Sequence, residues 1–110
     1  MSTEDLSARW VYITCTDKKE ARHIASAAVK ERLAACGNII DKMESVYEWK
    51  GEIESDEETV LILKTMDDRY QELEQLVLSM HSYECPCIIA LPVEVGFDGF
   101  LKWIHKETRS

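Results

Sequence analysis

Hydrophobic and polar residues alternate near the start of the chain and predict a β-strand. Within residues 9–16, alternate residues are the apolar Val11, Ile13 and Cys15, which would share one side of the strand. A period of two is typical of a strand with one face on a hydrophobic core. Cys15 then lies at the end of this strand, just before the next element.

A helix is predicted directly after the strand, because apolar residues there recur every three or four positions. Asp17 and Glu20 form a variant of the capping box, which favours a helix start. Gly37 is suited to end the helix in a left-handed cap. The apolar stripe of this helix consists of Ala21, Ile24, Ala25, Ala28, Val29 and Leu33.

A long β-hairpin is predicted for residues 38–65. Lys50 and Gly51 form its tight turn, since glycine tolerates positive φ, and an acidic stretch leads into a buried strand at residues 59–65. The period of two before the turn is expected to place four side chains on one face: Ile39, Met43, Tyr47 and Trp49. A strand of twelve residues spans roughly 40 Å, which exceeds the core of one small domain. We therefore expect the overhang and its exposed aromatic residues to contact a partner.

The remaining pattern completes an α+β domain. A second helix, capped by Asp67 or Asp68, precedes a strand at residues 87–93, and a short helix closes the chain at residues 98–105. The order β-α-β-β-α-β with a C-terminal helix predicts a ferredoxin-like fold. In that fold an antiparallel sheet carries two helices on one face.

Composition limits the classes of function. The length of 110 residues predicts one domain, at residues 9–110, after a frayed or disordered leader at residues 1–8. The net charge of −8 at pH 7 argues against nucleic-acid binding, and no apolar run is long enough for a membrane span. The N-terminus lacks the pattern of a signal peptide, so we expect a cytoplasmic protein. No motif of a common enzyme class occurs, so we do not expect an enzyme.

Cysteine and histidine residues supply the candidate metal ligands. Cys15 precedes a helix N-terminus, whose dipole favours the thiolate form that binds metals. The first and last strands of a ferredoxin-like sheet are antiparallel neighbours, so the strand end at Cys15 is expected to meet the strand start at Cys87. Together with His81, these residues predict a soft site for copper or zinc, composed of Cys15, His81 and Cys87.

The same cysteines have a second interpretation, as small buried hydrophobic residues. In a reducing cytosol all four cysteines are expected to be free thiols, and Cys36, at the end of a helix, fits the structural role best. The residue pattern leaves both interpretations open for Cys15, Cys85 and Cys87.

Several segments in combination resemble the CutA divalent-cation-tolerance family: A-A-C-G-N at residues 34–38, S-V-Y-E-W-K-G-E at residues 45–52, H-S-Y-E-C-P at residues 81–86 and F-L-x-W at residues 100–103. The resemblance covers roughly residues 10–105. It implies a ferredoxin-like subunit in a tight homotrimer, similar to the PII signalling proteins, with the hairpin packed on neighbouring subunits. It also implies tolerance of copper and other divalent metals, copper binding and no established enzymatic activity.

The resemblance places metal contacts at the cysteine that ends the first strand, here Cys15, and around the segment that contains His81. Two positions depart from the family pattern: Ser82 stands where the family usually has proline, and Cys87 where it usually has glutamate. The thiol would soften the site toward Cu(I) or zinc, or mark a member that has lost the site, and the sequence leaves both open. The alternative function is a PII-like trimeric sensor or scaffold that binds a small ligand or a protein partner between subunits.

Overall fold

In a computed structural model, which describes residues 6–109, the elements follow the order that the hydrophobic pattern predicts. They are β1 (Ala8–Cys15), α1 (Lys18–Lys30), β2 (Cys36–Trp49), β3 (Glu52–Met66), α2 (Tyr70–Met80), β4 (Ile88–Pro92) and α3 (Asp98–Glu107). The strands form one antiparallel sheet in the order β2-β3-β1-β4. This is the ferredoxin-like α+β fold. Within the described part of the chain, no helix is both long and apolar enough to cross a membrane.

One face of the sheet carries the hydrophobic core beneath α1 and α2. The register sets Val11 opposite Leu63 and Ile13 opposite Leu61, and these four side chains are fully buried. The two helices add buried residues to the same cluster: Ala21, Ile24, Ala28, Leu73 and Val77. Full burial of one large aliphatic side chain stabilises the fold by about 1.5–3 kcal/mol, so this face holds the domain together.

The end of α1 differs from the prediction. Arg32, not Gly37, takes the left-handed conformation, with a φ of 59°. The Leu33 N–H then closes the helix on the Ala28 carbonyl at 2.9 Å, as in a Schellman motif. Gly37 lies in β2, where a Cβ atom would approach Leu63 Cδ2 to 2.9 Å. Close packing between neighbouring strands, rather than a turn, is what requires glycine there.

The start of α2 also differs from the prediction. A short 3₁₀ turn over Asp67–Arg69 precedes α2, and no side chain caps either element. Asp68 instead accepts two hydrogen bonds from the Arg109 guanidinium, both at 2.7 Å. These hydrogen bonds lower the pKa of the Asp68 carboxyl. They fix the C-terminal end of the described chain to the start of α2.

The N-terminal boundary of the folded chain lies earlier than predicted. Ala8 begins β1 and is buried, and the Ser7 carbonyl accepts the Asp67 N–H at 2.9 Å. Leu6 packs against the small cluster around Ala8 and Ile104. The predicted leader is therefore wrong for residues 6–8, because these contacts hold them on the domain. Its residues 1–5 lie outside the described residues.

β2 and β3 form a long hairpin that closes in a two-residue turn. Trp49 pairs with Glu52, and the two residues between them have positive φ, 51° at Lys50 and 84° at Gly51. This is the geometry of a type I′ turn, whose twist matches that of the flanking strands. The turn predicted at Lys50 and Gly51 is confirmed.

A β-bulge reverses the two faces of β2 partway along its length. The register shifts between Ile40 and Met43, where two residues of β2 oppose one residue of β3. Because side chains alternate along a strand, the extra residue moves Met43, Tyr47 and Trp49 to the face opposite Ile39. The prediction that these four side chains share one face is wrong, and the bulge is the physical reason.

The sheet face opposite the helix layer is only partly covered. α3 packs at one end of it, where Ile104 joins a cluster with Ala8 and Met66. Further along this face, apolar side chains remain about half exposed: Ile40 at 54%, Ile89 at 51% and Leu91 at 49%.

The hairpin lengthens the molecule to 50 × 26 × 21 Å, with a radius of gyration of 15.0 Å. A compact chain of this length has a radius of gyration of about 13 Å.

Candidate metal site

Cys15 is the last residue of β1, and its side chain is fully buried on the core face. Burial raises the pKa of the thiol to about 12, and the carboxylates of Glu20, Asp17 and Glu58 act in the same direction. A pKa of about 12 leaves on the order of one thiol in 10⁵ ionised at pH 7. The helix dipole favours the thiolate, but burial and three nearby carboxylates outweigh it when no metal is bound.

Glu20 lies next to Cys15 because of the hydrogen bonds at the start of α1. Asp17 Oδ1 accepts the Glu20 N–H at 2.8 Å, and Glu20 Oε1 accepts the Thr16 N–H at 2.9 Å, a variant of the capping box. The other oxygen, Oε2, accepts the Ser82 N–H at 2.8 Å. Partial burial opposes ionisation of Glu20, but these hydrogen bonds outweigh it and lower the pKa of the carboxyl.

His81 follows the last residue of α2, and its ring is fully enclosed. Nε2 lies 2.8 Å from the Thr14 carbonyl oxygen, and Nδ1 accepts the Tyr83 N–H at 3.0 Å. An N–H group can donate only to an unprotonated ring nitrogen, so we assign the proton to Nε2, which donates to Thr14. Both nitrogens of His81 are thus hydrogen-bonded.

Three metal-ligating side chains converge at this point of the fold. One ligand atom each from Cys15, Glu20 and His81 lies within 4.8 Å of the other two. The structure thus brings together two of the three predicted ligands and adds Glu20, to which the sequence reasoning gave only a capping role. The signal for Glu20 was available in the D-x-x-E pattern, because that pattern fixes the carboxylate in the first turn of the helix that follows Cys15.

Cys87 lies beside the end of β1 but outside this group. Its carbonyl accepts the Thr14 N–H at 3.4 Å, one position beyond the pair formed by Ile13 and Ile88. Residues directly opposite one another in an antiparallel ladder share a face, so Cys87 belongs to the face of Thr14. Cys15 belongs to the other face. The predicted topology brings the correct strand ends together, but it does not give the face on which each side chain lies. The role of Cys87 as a ligand stays a prediction.

The donor atoms of the converging group match a soft or borderline metal. Zinc accepts sulfur, imidazole nitrogen and carboxylate oxygen, and copper accepts thiolate and imidazole. At bond lengths of about 2.0–2.3 Å, two tetrahedral ligands of one metal lie about 3.3–3.8 Å apart, whereas the ligand atoms of this group lie within 4.8 Å of one another. The donor types therefore suit such an ion, and the ligand atoms would move closer together by up to about 1.5 Å to hold it. Its binding would release the Cys15 proton and displace the Tyr83 N–H from His81.

The fold and this thiol–imidazole–carboxylate group define a ferredoxin-like α+β protein with a candidate site for a soft metal. A family model described as "CutA1 divalent ion tolerance protein" matches residues 9–107. The chain therefore belongs to the CutA1 divalent ion tolerance family.

Similar proteins come from distant organisms. "Protein CutA" of Mus musculus is 46% identical over 99 residues, which cover 90% of this chain and 56% of the relative. The "Divalent-cation tolerance protein CutA" of Thermus thermophilus is 41% identical over 98 residues, which cover 89% of this chain and 95% of the relative. The chain thus spans about half the length of the mammalian relative and nearly all of the bacterial one.

A solved structure supports the same assignment. It is described as the "Periplasmic divalent cation tolerance protein CutA from Archaeoglobus fulgidus", and it matches this fold with a TM-score of 0.88 at 38% sequence identity. The match covers 93% of this chain and 99% of that chain. The ferredoxin-like fold predicted from the sequence is confirmed.

Proposed function

We propose that this chain is a homotrimeric divalent-cation tolerance protein that binds copper or a similar soft metal at Cys15, Glu20 and His81. The observation that carries the proposal is the convergence of these three ligand atoms within 4.8 Å, in a member of a family described by divalent ion tolerance. The protein would act by binding the ion, not as an enzyme. A cytoplasmic location is part of the same proposal, since it would keep the four free cysteines reduced.

The chemistry of the site would couple metal binding to pH. A bound copper or zinc ion would favour the thiolate of Cys15, whose proton is otherwise held by burial and nearby carboxylates. His81 would contribute Nδ1, the ring nitrogen that lies 3.9 Å from Glu20 Oε1. Glu20 would supply an oxygen that is ionised at neutral pH, since its pKa is lowered. Metal affinity should therefore rise with pH as the thiol proton becomes easier to remove.

The metal proposal is tested by equilibrium titration with Cu(I) and with Zn²⁺ under anaerobic conditions. Cys15→Ser and Glu20→Gln should weaken binding at least tenfold, the lower end for loss of a coordinating or supporting group. Cys36→Ser is the matched thiol control, because Cys36 lies in β2 outside the converging group, and it should keep the affinity of the unchanged chain. Equal affinity in Cys15→Ser and Cys36→Ser would rule out this site.

Two further measurements separate the ligand sets. Calorimetric titration in buffers of different protonation enthalpy should show release of about one proton per ion, as expected for a buried thiol that becomes a ligand. Cys87→Ser distinguishes the set predicted from sequence from the set that converges in the fold. A loss as large as that of Cys15→Ser would restore Cys87 as a ligand, and no loss would leave Glu20 in its place.

Ser82 allows a test of the carboxylate in particular. The Ser82 N–H donates a hydrogen bond to Glu20 Oε2 at 2.8 Å. The resembled family usually has proline at this position, and proline carries no N–H. Ser82→Pro would free one oxygen of Glu20 for a metal. We expect tighter metal binding in Ser82→Pro than in the unchanged chain, and no such gain in the Glu20→Gln background. A gain of equal size in both backgrounds would exclude Glu20 as the cause.

The trimer is supported by the uncovered face of the sheet. Ile89 and Leu91 of β4 lie opposite Tyr12 and Trp10 of β1, on the face away from the helices, and both are about half exposed. Apolar surface of this kind is typical of a protein interface. Light scattering at low micromolar concentration should give the mass of three chains of 12.7 kDa, about 38 kDa.

A matched pair of substitutions locates the interface. Leu91→Glu places a charge on the uncovered sheet face, where Leu91 is 49% exposed, and Leu78→Glu makes the same change on α2, where Leu78 is 44% exposed. Leu91→Glu should lower the mass toward that of one chain, because a buried unpaired charge is costly in an interface. Leu78→Glu should keep the full mass. A monomeric unchanged chain would refute the proposed assembly.

A further inference from the structure

The buried metal group reaches the protein surface on the side of Glu20. Cys15 and the His81 ring are fully buried, whereas the Glu20 side chain keeps 11% of its area exposed. Glu20 also lines a pocket of about 270 Å³ between the start of α1 and the end of α2. An ion that comes from solvent therefore has a path to Cys15 through this pocket and past Glu20.

Two side chains with soft donor atoms line the same pocket. His23 lies in α1 three residues after Glu20 and is exposed. Met80 is the last residue of α2, directly before His81, and is 38% exposed. Thioether sulfur selects Cu(I), and imidazole nitrogen suits copper. The pocket thus offers one soft sulfur and one imidazole nitrogen on the outer side of the buried group.

Helical spacing explains why these side chains meet at one pocket. Residues three positions apart are neighbours on a helix surface, so His23 lies beside Glu20 on α1. By the same spacing, Met80 follows the buried Val77 on α2 and extends the apolar stripe of that helix to the surface. Ile24, which is fully buried, lines the pocket from the core side.

The pocket lies in the helix layer, away from the surfaces that the proposed trimer uses. All of the described residues that line it lie within residues 16–24 or at Met80. The proposed interface is formed by the opposite face of the sheet and by the outer hairpin. The assembly therefore leaves this pocket open to solvent.

The charge of the pocket suits a monovalent cation. Its lining contains two carboxylates, Asp17 and Glu20, and one ammonium group, Lys19. Both carboxylates already accept backbone N–H groups at the start of α1. A hard divalent ion such as Ca²⁺ needs six or more oxygen ligands, so this lining fits a soft monovalent ion better.

We propose that the imidazole of His23 and the thioether of Met80 form an outer Cu(I) site that binds the ion first and passes it, past Glu20, to the buried group. The transfer is a ligand exchange without a change in oxidation state. The bonds from Cu(I) to Met80 and His23 break, a bond to the Cys15 sulfur forms, and the thiol proton goes to solvent. This transfer rests on the proposed function of the buried group, whereas the outer site can be tested without it.

Competition titration with a Cu(I) chelator, under anaerobic conditions, tests the outer site in the Cys15→Ser background. We expect this background to retain one weaker Cu(I) site. Addition of Met80→Leu or His23→Gln should weaken the residual site about tenfold, as for loss of a coordinating or supporting group. Met66→Leu in β3 and His105→Gln in α3 are the matched controls, because both residues lie outside the pocket, and each should leave the residual site unchanged.

Stopped-flow mixing of the chain with Cu(I) tests the route to the buried group. Ultraviolet absorbance of the Cu(I)–thiolate bond reports arrival of the ion at Cys15. In Met80→Leu, with Cys15 intact, the rates of association and dissociation should both fall, by up to about tenfold, because the ion no longer binds first at the outer site. The equilibrium affinity of the buried group should stay the same, since its own ligands are unchanged.

The outcomes distinguish the outer site from the buried group. Equal residual affinity after Met80→Leu and Met66→Leu, or no residual Cu(I) binding in Cys15→Ser, would overturn the outer site. Unchanged rates in Met80→Leu would overturn the route, and a loss of affinity without a change in the association rate would assign Met80 to the buried group instead. Equal affinity in Cys15→Ser and Cys36→Ser would refute the proposed function and leave the comparison of residual affinities valid.

Discussion

The inner half of the sheet and the outer half of the hairpin consist of the same kind of strand in different surroundings. In β3, Leu61 and Leu63 are fully buried, whereas Ile53 of the same strand is 72% exposed and Trp49 across the turn is 60% exposed. Helices α1 and α2 cover the first region, and no element of the described chain covers the second. Alternation along a strand shows where a side chain points, but the tertiary structure decides whether anything lies there.

The largest expected effect contrasts the two ends of β3. Leu63→Ala removes a fully buried side chain and should lower the free energy of unfolding by about 2–5 kcal/mol. Ile53→Ala removes an exposed side chain and should cost less than about 0.5 kcal/mol within one subunit. Denaturant unfolding at several protein concentrations checks this, because any larger loss in Ile53→Ala should then depend on concentration, as an interface contact does. An equal loss of unfolding free energy in Leu63→Ala and Ile53→Ala at every protein concentration would contradict this contrast.

The glycines of the two regions provide the next comparison. At Gly37 an added Cβ atom would lie 2.9 Å from Leu63 Cδ2, so Gly37→Ala should cost about 1–3 kcal/mol by overpacking. At Gly51 the space is open but φ is 84°, so Gly51→Ala should cost about 1 kcal/mol by backbone strain alone. The measurement is denaturant unfolding, with the crystal structure of Gly37→Ala as a check for a displaced β2. A harmless Gly37→Ala would show that β2 packs less tightly than described.

A smaller effect concerns the ion pair that fastens the C-terminal end to α2. Hydrogen bonds from Arg109 lower the pKa of Asp68, so the contact stabilises the fold above the ordinary aspartate pKa and is lost as pH falls through the lowered pKa. Both side chains are about one third exposed, at 34% and 36%, so Asp68→Asn should cost less than about 1 kcal/mol at pH 7. The cost should shrink as pH falls through that lowered pKa.

The control for this ion pair lies on the surface of α3. Asp98 pairs with Lys102 at 2.9 Å, but both side chains are nearly four fifths exposed. Asp98→Asn should change the free energy of unfolding less than Asp68→Asn at pH 7, since solvent screens this pair more strongly. Unfolding curves at pH 7 and near pH 2 compare the two variants. A larger effect of Asp98→Asn would contradict the assignment of the Arg109 contact.

The smallest expected effect lies at the hairpin tip. Lys50 has a φ of 51°, a conformation that asparagine adopts more readily than lysine. Lys50→Asn creates an Asn-Gly turn, the preferred type I′ pair, and should stabilise the hairpin by less than about 1 kcal/mol. Hydrogen exchange of the backbone amides near the turn is the sensitive measurement. Faster exchange in Lys50→Asn would contradict the type I′ geometry.

The sequence predicted the order of elements well because the period of apolar residues changes cleanly between strand and helix. It located the Lys50–Gly51 turn for a chemical reason, since glycine favours positive φ. It missed the end of α1 and the faces of the outer hairpin. At both places a non-glycine residue has positive φ, Arg32 at 59° and Lys42 at 61°. Lysine and arginine do not signal this conformation, because glycine and asparagine are the residue types enriched at positive φ.

The candidate metal site was predicted in part. The strand end at Cys15 and the histidine after α2 came from the sequence, and the fold places both in one group with Glu20. Cys87 was chosen because its strand begins beside Cys15, but the ladder places it opposite Thr14. A shift of one residue moves every side chain of a strand to the other face. The face of a residue at a strand end can therefore be assigned only when the pairing register is known.

The sequence by itself determined the secondary structure, the antiparallel ferredoxin-like arrangement and the long hairpin, because periodicity and turn chemistry are local properties. Only the tertiary structure decided which side chains meet across the sheet. It decided that the Cys15 thiol stays protonated, since burial and carboxylates from other segments raise its pKa to about 12. It also decided that a bulge moves Tyr47 and Trp49 to the acidic face of the hairpin, because such long-range pairings depend on register.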